Sequence, residues 1–184
     1  MAETDPKRSL LRHTIATLAY RASRALGDAP EGFGAVRARH DTRSAEEILA
    51  HMGDLFDWAV SIARGQQVWK TQPPGAWSDD VTRLFGALET FDAFLASDAP
   101  MGFSPEAIFQ GPIADALTHV GQLATLRRLA GSPVLGENYL DCHRFHYCLR
   151  VPGVRMRAGG HRREAPPCRS SITPTPAPSW PTPS

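Results

Sequence analysis

The chain has 184 residues, 42% of them hydrophobic and 21% charged, which suffices for one domain with a packed core and excludes wholesale disorder. Its net charge of +1 excludes the strongly basic surface of a dedicated nucleic-acid binder. The charge is uneven: residues 1–140 carry 13 Lys and Arg against 17 Asp and Glu, a net of −4, whereas residues 141–184 carry 7 against 2, a net of +5.

Two units are therefore expected, a body over 1–140 and a basic tail over 141–184. The opening, Met1 to Arg8, is polar and lacks an apolar signal core, and no apolar run is long enough to span a bilayer. All three cysteines, Cys142, Cys148 and Cys168, lie in the tail, so no disulfide can staple the body. The expectation is a cytoplasmic protein with no membrane partner.

The body reads as four helices. Asp5-Pro6 opens the first, Asp as cap and Pro pre-set for the first helical position. Leu11, Ile15, Leu18, Ala22 and Ala25 form its stripe, and Gly27 is its stop. Ser44 and Glu47 have capping-box spacing and open the second. Its face is Ile48, Leu55, Trp58 and Ile62, widened by Met52, Phe56 and Ala59. Gly65 ends it, and a loop through Pro73-Pro74-Gly75 is long enough to cross the end of a bundle. Helix three starts near Ser78, with Asp79 and Asp80 in its first turn, and buries Val81, Leu84, Phe85, Leu88, Phe91 and Leu95. The stretch 97–111 reads as irregular, with one turn after Ser104-Pro105. Helix four starts at Gly111-Pro112 and stops at Gly131, with Arg127 and Arg128 in its last turn matching the helix dipole. No period-2 strand pattern competes in the body, so the fold class is all-α, a four-helix bundle.

Three polar residues interrupt the apolar stripes. His51 shares the 48, 51, 55, 58, 62 face of helix two. Asp115 and His119 are four apart on helix four, so they are offset by only about 40° and stand one above the other. Burying a carboxylate without a partner costs several kcal/mol or forces it to take a proton. A divalent cation resolves that conflict, because it accepts lone pairs from carboxylate and neutral imidazole together. Two His and one carboxylate with open positions is the ligand pattern of a reactive site. Each residue also has a plainer reading. His51 alone fits a hydrogen-bonded core histidine, Asp115 near a helix start fits the dipole, and Asp115 and His119 can bond each other without a metal.

The segment Phe109-Gln110-Gly111-Pro112-Ile113-Ala114-Asp115-Ala116-Leu117-Thr118-His119-Val120-Gly121-Gln122-Leu123, with Leu126-Arg127-Arg128-Leu129-Ala130-Gly131 after it, resembles the last core helix of the DinB-like four-helix-bundle family. Glu47-Ile48-Leu49-Ala50-His51-Met52-Gly53-Asp54-Leu55 resembles that family's other metal helix. The resemblance covers about residues 6–140, and the His119-Val120-Gly121-Gln122-Leu123 stretch is its most specific part. It implies that His51, Asp115 and His119 bind a divalent metal: zinc, nickel, iron or manganese. Many relatives carry His where this chain has Asp115, which shifts metal preference toward iron, manganese or zinc, or weakens binding. Some relatives transfer or isomerise small-molecule substrates with a low-molecular-weight thiol, mycothiol or bacillithiol. The implied function is a metal-dependent, thiol-dependent transferase or isomerase. The alternative is a non-catalytic bundle that binds a partner or pairs as a homodimer, with a vestigial metal site.

Gln122, one turn past His119, could orient a metal-bound water or its neighbour's ring, or serve a packing or surface role. Asp54 could accept from an imidazole N–H, but a solvated helix position is the expectation. Trp58 would line the cavity floor, or simply pack. His13 lies off its helix stripe and reads as surface. In the tail, Cys142, His143, His146 and Cys148, with His161 and Cys168 beyond, are zinc-competent but match no zinc-finger spacing. The end, from Thr173 to Ser184, is Pro/Ser/Thr-rich and reads as a solvated, extended or disordered segment; its proline spacing could suit a groove that reads polyproline, a match common by chance. From about Leu140 composition and charge depart from the family pattern, as an unrelated extension or a shifted reading frame would produce. The absence of a family-like continuation in the other frames of the gene would exclude the latter.

Overall fold

The structure, a computed structural model, describes residues 5–136 and 139. The expectations for residues 141–184, including the cysteine–histidine cluster and the proline-rich end, lie outside the described residues. Helix α1 spans Pro6–Leu26, α2 Ala45–Ala63 and α3 Trp77–Ala96. A short α4 (Pro105–Ile108), a π-helical turn (Phe109–Ile113) and α5 (Ala114–Leu129) follow one another without a break as the fourth long rod. A 3-10 turn (Phe33–Ala35) lies between α1 and α2. The fold is an all-α four-helix bundle, with no strand among the described residues.

Local chemistry sets the helix starts. The Asp5 carboxylate accepts from the Lys7 backbone N–H at 2.9 Å, and Pro6 occupies the first helical position. The capping box at α2 is complete: Glu47 N–H donates to Ser44 Oγ at 3.3 Å, and Ser44 N–H donates to Glu47 Oε2 at 2.6 Å. Gly27 does end α1, but in right-handed geometry (φ −64°), its N–H donating to the Ser23 carbonyl. The apolar stripes meet in one core holding Leu18, Phe56, Leu84, Phe91 and Leu123, each fully buried.

The helices run up, down, down, up. Arg12 on α1 pairs with Asp92 near the end of α3, so α1 and α3 are antiparallel. Trp77, first in α3, packs on Phe33, and Phe33 precedes α2. Phe91, late in α3, meets Phe56, late in α2, so α2 and α3 are parallel. Each long rod packs chiefly against two others, in ring order α1, α3, α2, α5. Two connections thus cross the bundle ends, 27–44 between the diagonal pair α1 and α2, and 97–104 between the diagonal pair α3 and the fourth rod. The loop after α2, expected to cross, instead folds back along α2 as an extended strap to return the chain to the start of α3.

A second correction concerns the fourth rod. Helix begins at Ser104-Pro105, where Ser104 Oγ accepts from Ala107 N–H at 3.2 Å, and not at Gly111-Pro112. Proline has no N–H to give to the fourth carbonyl before it, and its ring clashes with that carbonyl. The π-turn widens the coil around Pro112, and Ala114 N–H reaches back five residues to the Phe109 carbonyl. A proline that looks like a helix start is therefore absorbed as a bulge inside a longer helix. Asp115 is then ten residues inside the rod, which removes the first-turn dipole explanation for it.

Candidate metal centre

His51 from α2 meets Asp115 and His119 from α5 at the seam between the two antiparallel helices. Asp115 stands between the imidazoles. Its Oδ2 lies 3.6 Å from His51 Nε2 and its Oδ1 lies 3.4 Å from His119 Nε2. One ligand atom from each of the three falls within 4.8 Å of the others. The imidazole rings stand edge to face, centroids 4.8 Å apart at 89°.

These distances discriminate between two states. A direct imidazolium–carboxylate hydrogen bond closes to about 2.7–2.9 Å. Ligands sharing one ion at about 2.0–2.1 Å sit about 2.9–3.4 Å from each other. The observed 3.4 and 3.6 Å are too long for the first, and with the three ligand atoms spread over 4.8 Å the set has to draw in to hold one ion. The donor set, two neutral nitrogens and one anionic oxygen, is chemically suited to a divalent cation.

Protonation favours the same use. Burial pushes the His51 imidazole below the ordinary histidine value; Arg43 and then His119 push the same way, and Asp115 opposes them. His51 is therefore neutral at neutral pH, with a lone pair to offer. His119 Nδ1 lies 2.9 Å from Gln122 Oε1. An amide oxygen only accepts, so Nδ1 carries a proton and Nε2 is the nitrogen turned toward Asp115. Gln122 thus holds the His119 ring from an exposed position.

The structure corrects the sequence picture in several places. Asp115 is not buried: its side chain is 48% exposed, against 8% for His119 and 19% for His51. The desolvation cost that first pointed to a cation therefore falls on the histidines, and the carboxylate faces solvent at the rim. Gln122 and Leu129, further along the same helical stripe as Asp115 and His119, are exposed as well. Asp54 is neither a partner of His51 nor solvated. It is 1% exposed, bonded to Arg83 Nη2 at 2.6 Å and to Gln72 N–H at 3.2 Å. Arg127 is also buried, donating to the Ala25 and Ser132 carbonyls, so it clamps α5 to the end of α1. His13 is exposed, as expected.

Trp58 is half-buried beside the site. A Cβ built on Gly111 would touch its ring at 3.5 Å, so the π-turn rests on the indole. Sequence reasoning missed Trp69. It sits on the strap with its ring 5.7 Å from both His51 and Trp58. Only the topology, which lays the strap along α2, brings it there.

No protein-family model, curated protein or solved structure matches the chain. Among the described residues no helix is long and apolar enough to cross a membrane.

Proposed function

We propose that this protein binds one divalent metal ion through His51, Asp115 and His119, and uses the ion's open positions to act on a small molecule. The observation that carries this is the convergence of three metal-competent ligand atoms from two helices within 4.8 Å of one another. An ion held there supplies Lewis acidity, polarising a substrate oxygen or lowering the pKa of a bound water or thiol. The chain's own residues hold and orient: His51 and His119 offer neutral nitrogens, Asp115 offers charge, and Gln122 fixes one ring.

The finer reading is a DinB-like metalloprotein, a thiol-dependent transferase or isomerase. It rests on the likeness of residues 47–55 and 109–131 to that family's metal helices, and fold likeness alone does not carry a reaction. The bundle and the His–Asp–His seam are consistent with it. Elemental analysis of purified protein tests the metal. About one equivalent of ion in the wild type and a collapse in His119→Ala support the proposal. A folded wild type that takes up no ion from zinc, nickel, manganese or ferrous solutions refutes it, and leaves a helical bundle with a vestigial site.

A further inference from the structure

The strap between α2 and α3 is fastened at three points. Ser61 Oγ donates to the Gln66 carbonyl and accepts from Val68 N–H at 3.2 Å. Asp54 Oδ2 accepts from Gln72 N–H at 3.2 Å, and Asp80 Oδ2 accepts from Gly75 N–H at 2.8 Å. Asp54 and Asp80 are buried carboxylates from two different helices, 1% and 7% exposed. The bundle topology explains why a strap must return along α2. It does not explain the indole at position 69.

Trp69 is 43% exposed and lies outside the core. Its Nε1 donates to Thr71 Oγ1 at 3.0 Å, so its polar edge is satisfied within the strap. Its ring meets Trp58 edge to face at 79° and the His51 ring at 59°. An aromatic surface is thereby fixed within one ring's width of a metal-competent imidazole, partly open to solvent.

We infer that Trp69 is a specificity-determining residue of the metal site, and that the substrate carries a planar aromatic group next to the oxygen or sulfur that reaches the ion. The inference rests on the metal-centre proposal and adds the class of substrate. Aromatic rings prefer offset or edge contacts at centroid distances of about 4.5–7 Å, and a ligand ring laid against the solvent-exposed part of the Trp69 indole makes such contacts while its donor atom coordinates. An aliphatic substrate of equal donor chemistry loses those contacts and keeps the coordination.

A matched pair of probes separates the two. Benzohydroxamate and acetohydroxamate offer a metal the same oxygen pair, and only the first has a ring. On nickel-loaded full-length protein, calorimetry is expected to show benzohydroxamate binding at least about tenfold more tightly. Trp69→Leu should bring the two within about twofold with acetohydroxamate affinity and nickel stoichiometry unchanged, and Trp69→Phe should restore most of the preference. Equal binding of both probes by nickel-loaded wild type overturns this inference and leaves the metal centre standing. A preference that survives in Trp69→Leu also overturns it. Protein that binds no nickel overturns the metal centre and this inference together.

Discussion

His119 and Gln122, one turn apart on α5, are joined by a hydrogen bond of 2.9 Å from the ring Nδ1–H to the amide oxygen. The bond fixes which nitrogen is free for a metal. Gln122 is exposed, so its removal leaves the core intact. Gln122→Ala is expected to weaken metal affinity about 10-fold to 100-fold, the usual range for such an outer partner, with a thermal midpoint near that of the wild type. Gln122→Glu, which keeps the acceptor, should retain affinity. Competition against a chelator of known strength measures both. An alanine variant that binds as tightly as wild type removes Gln122 from the site.

Metal binding should also depend on pH in a defined sense. Burial holds His51 below the ordinary histidine value of 6.5. A depressed folded value means that the neutral ring is favoured in the native state. Its contribution to stability is present above the unfolded value and is lost as pH falls through the folded one. Affinity for the ion is expected to be level from about pH 8 to about pH 6.5 and to fall below that, as His51 takes a proton. A titration in which affinity already declines between about pH 8 and about pH 7 contradicts a depressed His51.

Arg83 and Asp54 form the bundle's buried ion pair. Arg83 bonds Asp54 at 2.6 Å and the more exposed Asp57 at 2.7 Å. Its guanidinium lies against Gly53, where a Cβ would meet Nη1 at 2.9 Å. Arg83→Met leaves a buried carboxylate with one backbone partner. The expected loss is about 3 kcal/mol, read by urea unfolding. Arg83→Met combined with Asp54→Leu should lose less than the single variant, because no orphan charge remains. A single-variant loss below about 1 kcal/mol would show that water reaches Asp54.

Most of the helical frame was legible because the apolar stripes and end signals agree. Asp5-Pro6, Ser44 with Glu47, and the Leu84 to Leu95 stripe all act as their sequence suggests. The triad was legible because steps of three and four put His51, Asp115 and His119 on facing stripes. Their exposure was not. A stripe gives direction around a helix but not depth, and Asp115 points along the seam to the rim. Gly111-Pro112 misled because proline at a helix start and proline in a π-turn carry the same local pattern. Whether the coil continues is decided by the upstream cap at Ser104, seven residues into a stretch read as irregular but for one turn at that point. Trp69 and the pairing of Asp54 were invisible for a different reason. Both depend on α2 and α3 running parallel, a topological fact with no local signature.

The capping box gives a bounded check on the frame itself. Ser44 is fully buried and caps the helix that carries His51. Ser44→Ala is expected to cost about 1 kcal/mol, seen as a lowered thermal midpoint, with the metal stoichiometry of the folded fraction unchanged. A stoichiometry that falls with the cap would mean that His51 depends on the first turn of α2 for its position.

The most direct measurement is X-ray absorption on the zinc-loaded protein, which reads the ligand shell itself. The expected spectrum has only nitrogen and oxygen neighbours at about 2.0–2.2 Å, with the outer-shell scattering of two imidazoles, reduced to one in His51→Ala. A shell containing sulfur at about 2.3 Å would put the ion on Cys142, Cys148 or Cys168 instead, and the His51–Asp115–His119 centre would be wrong.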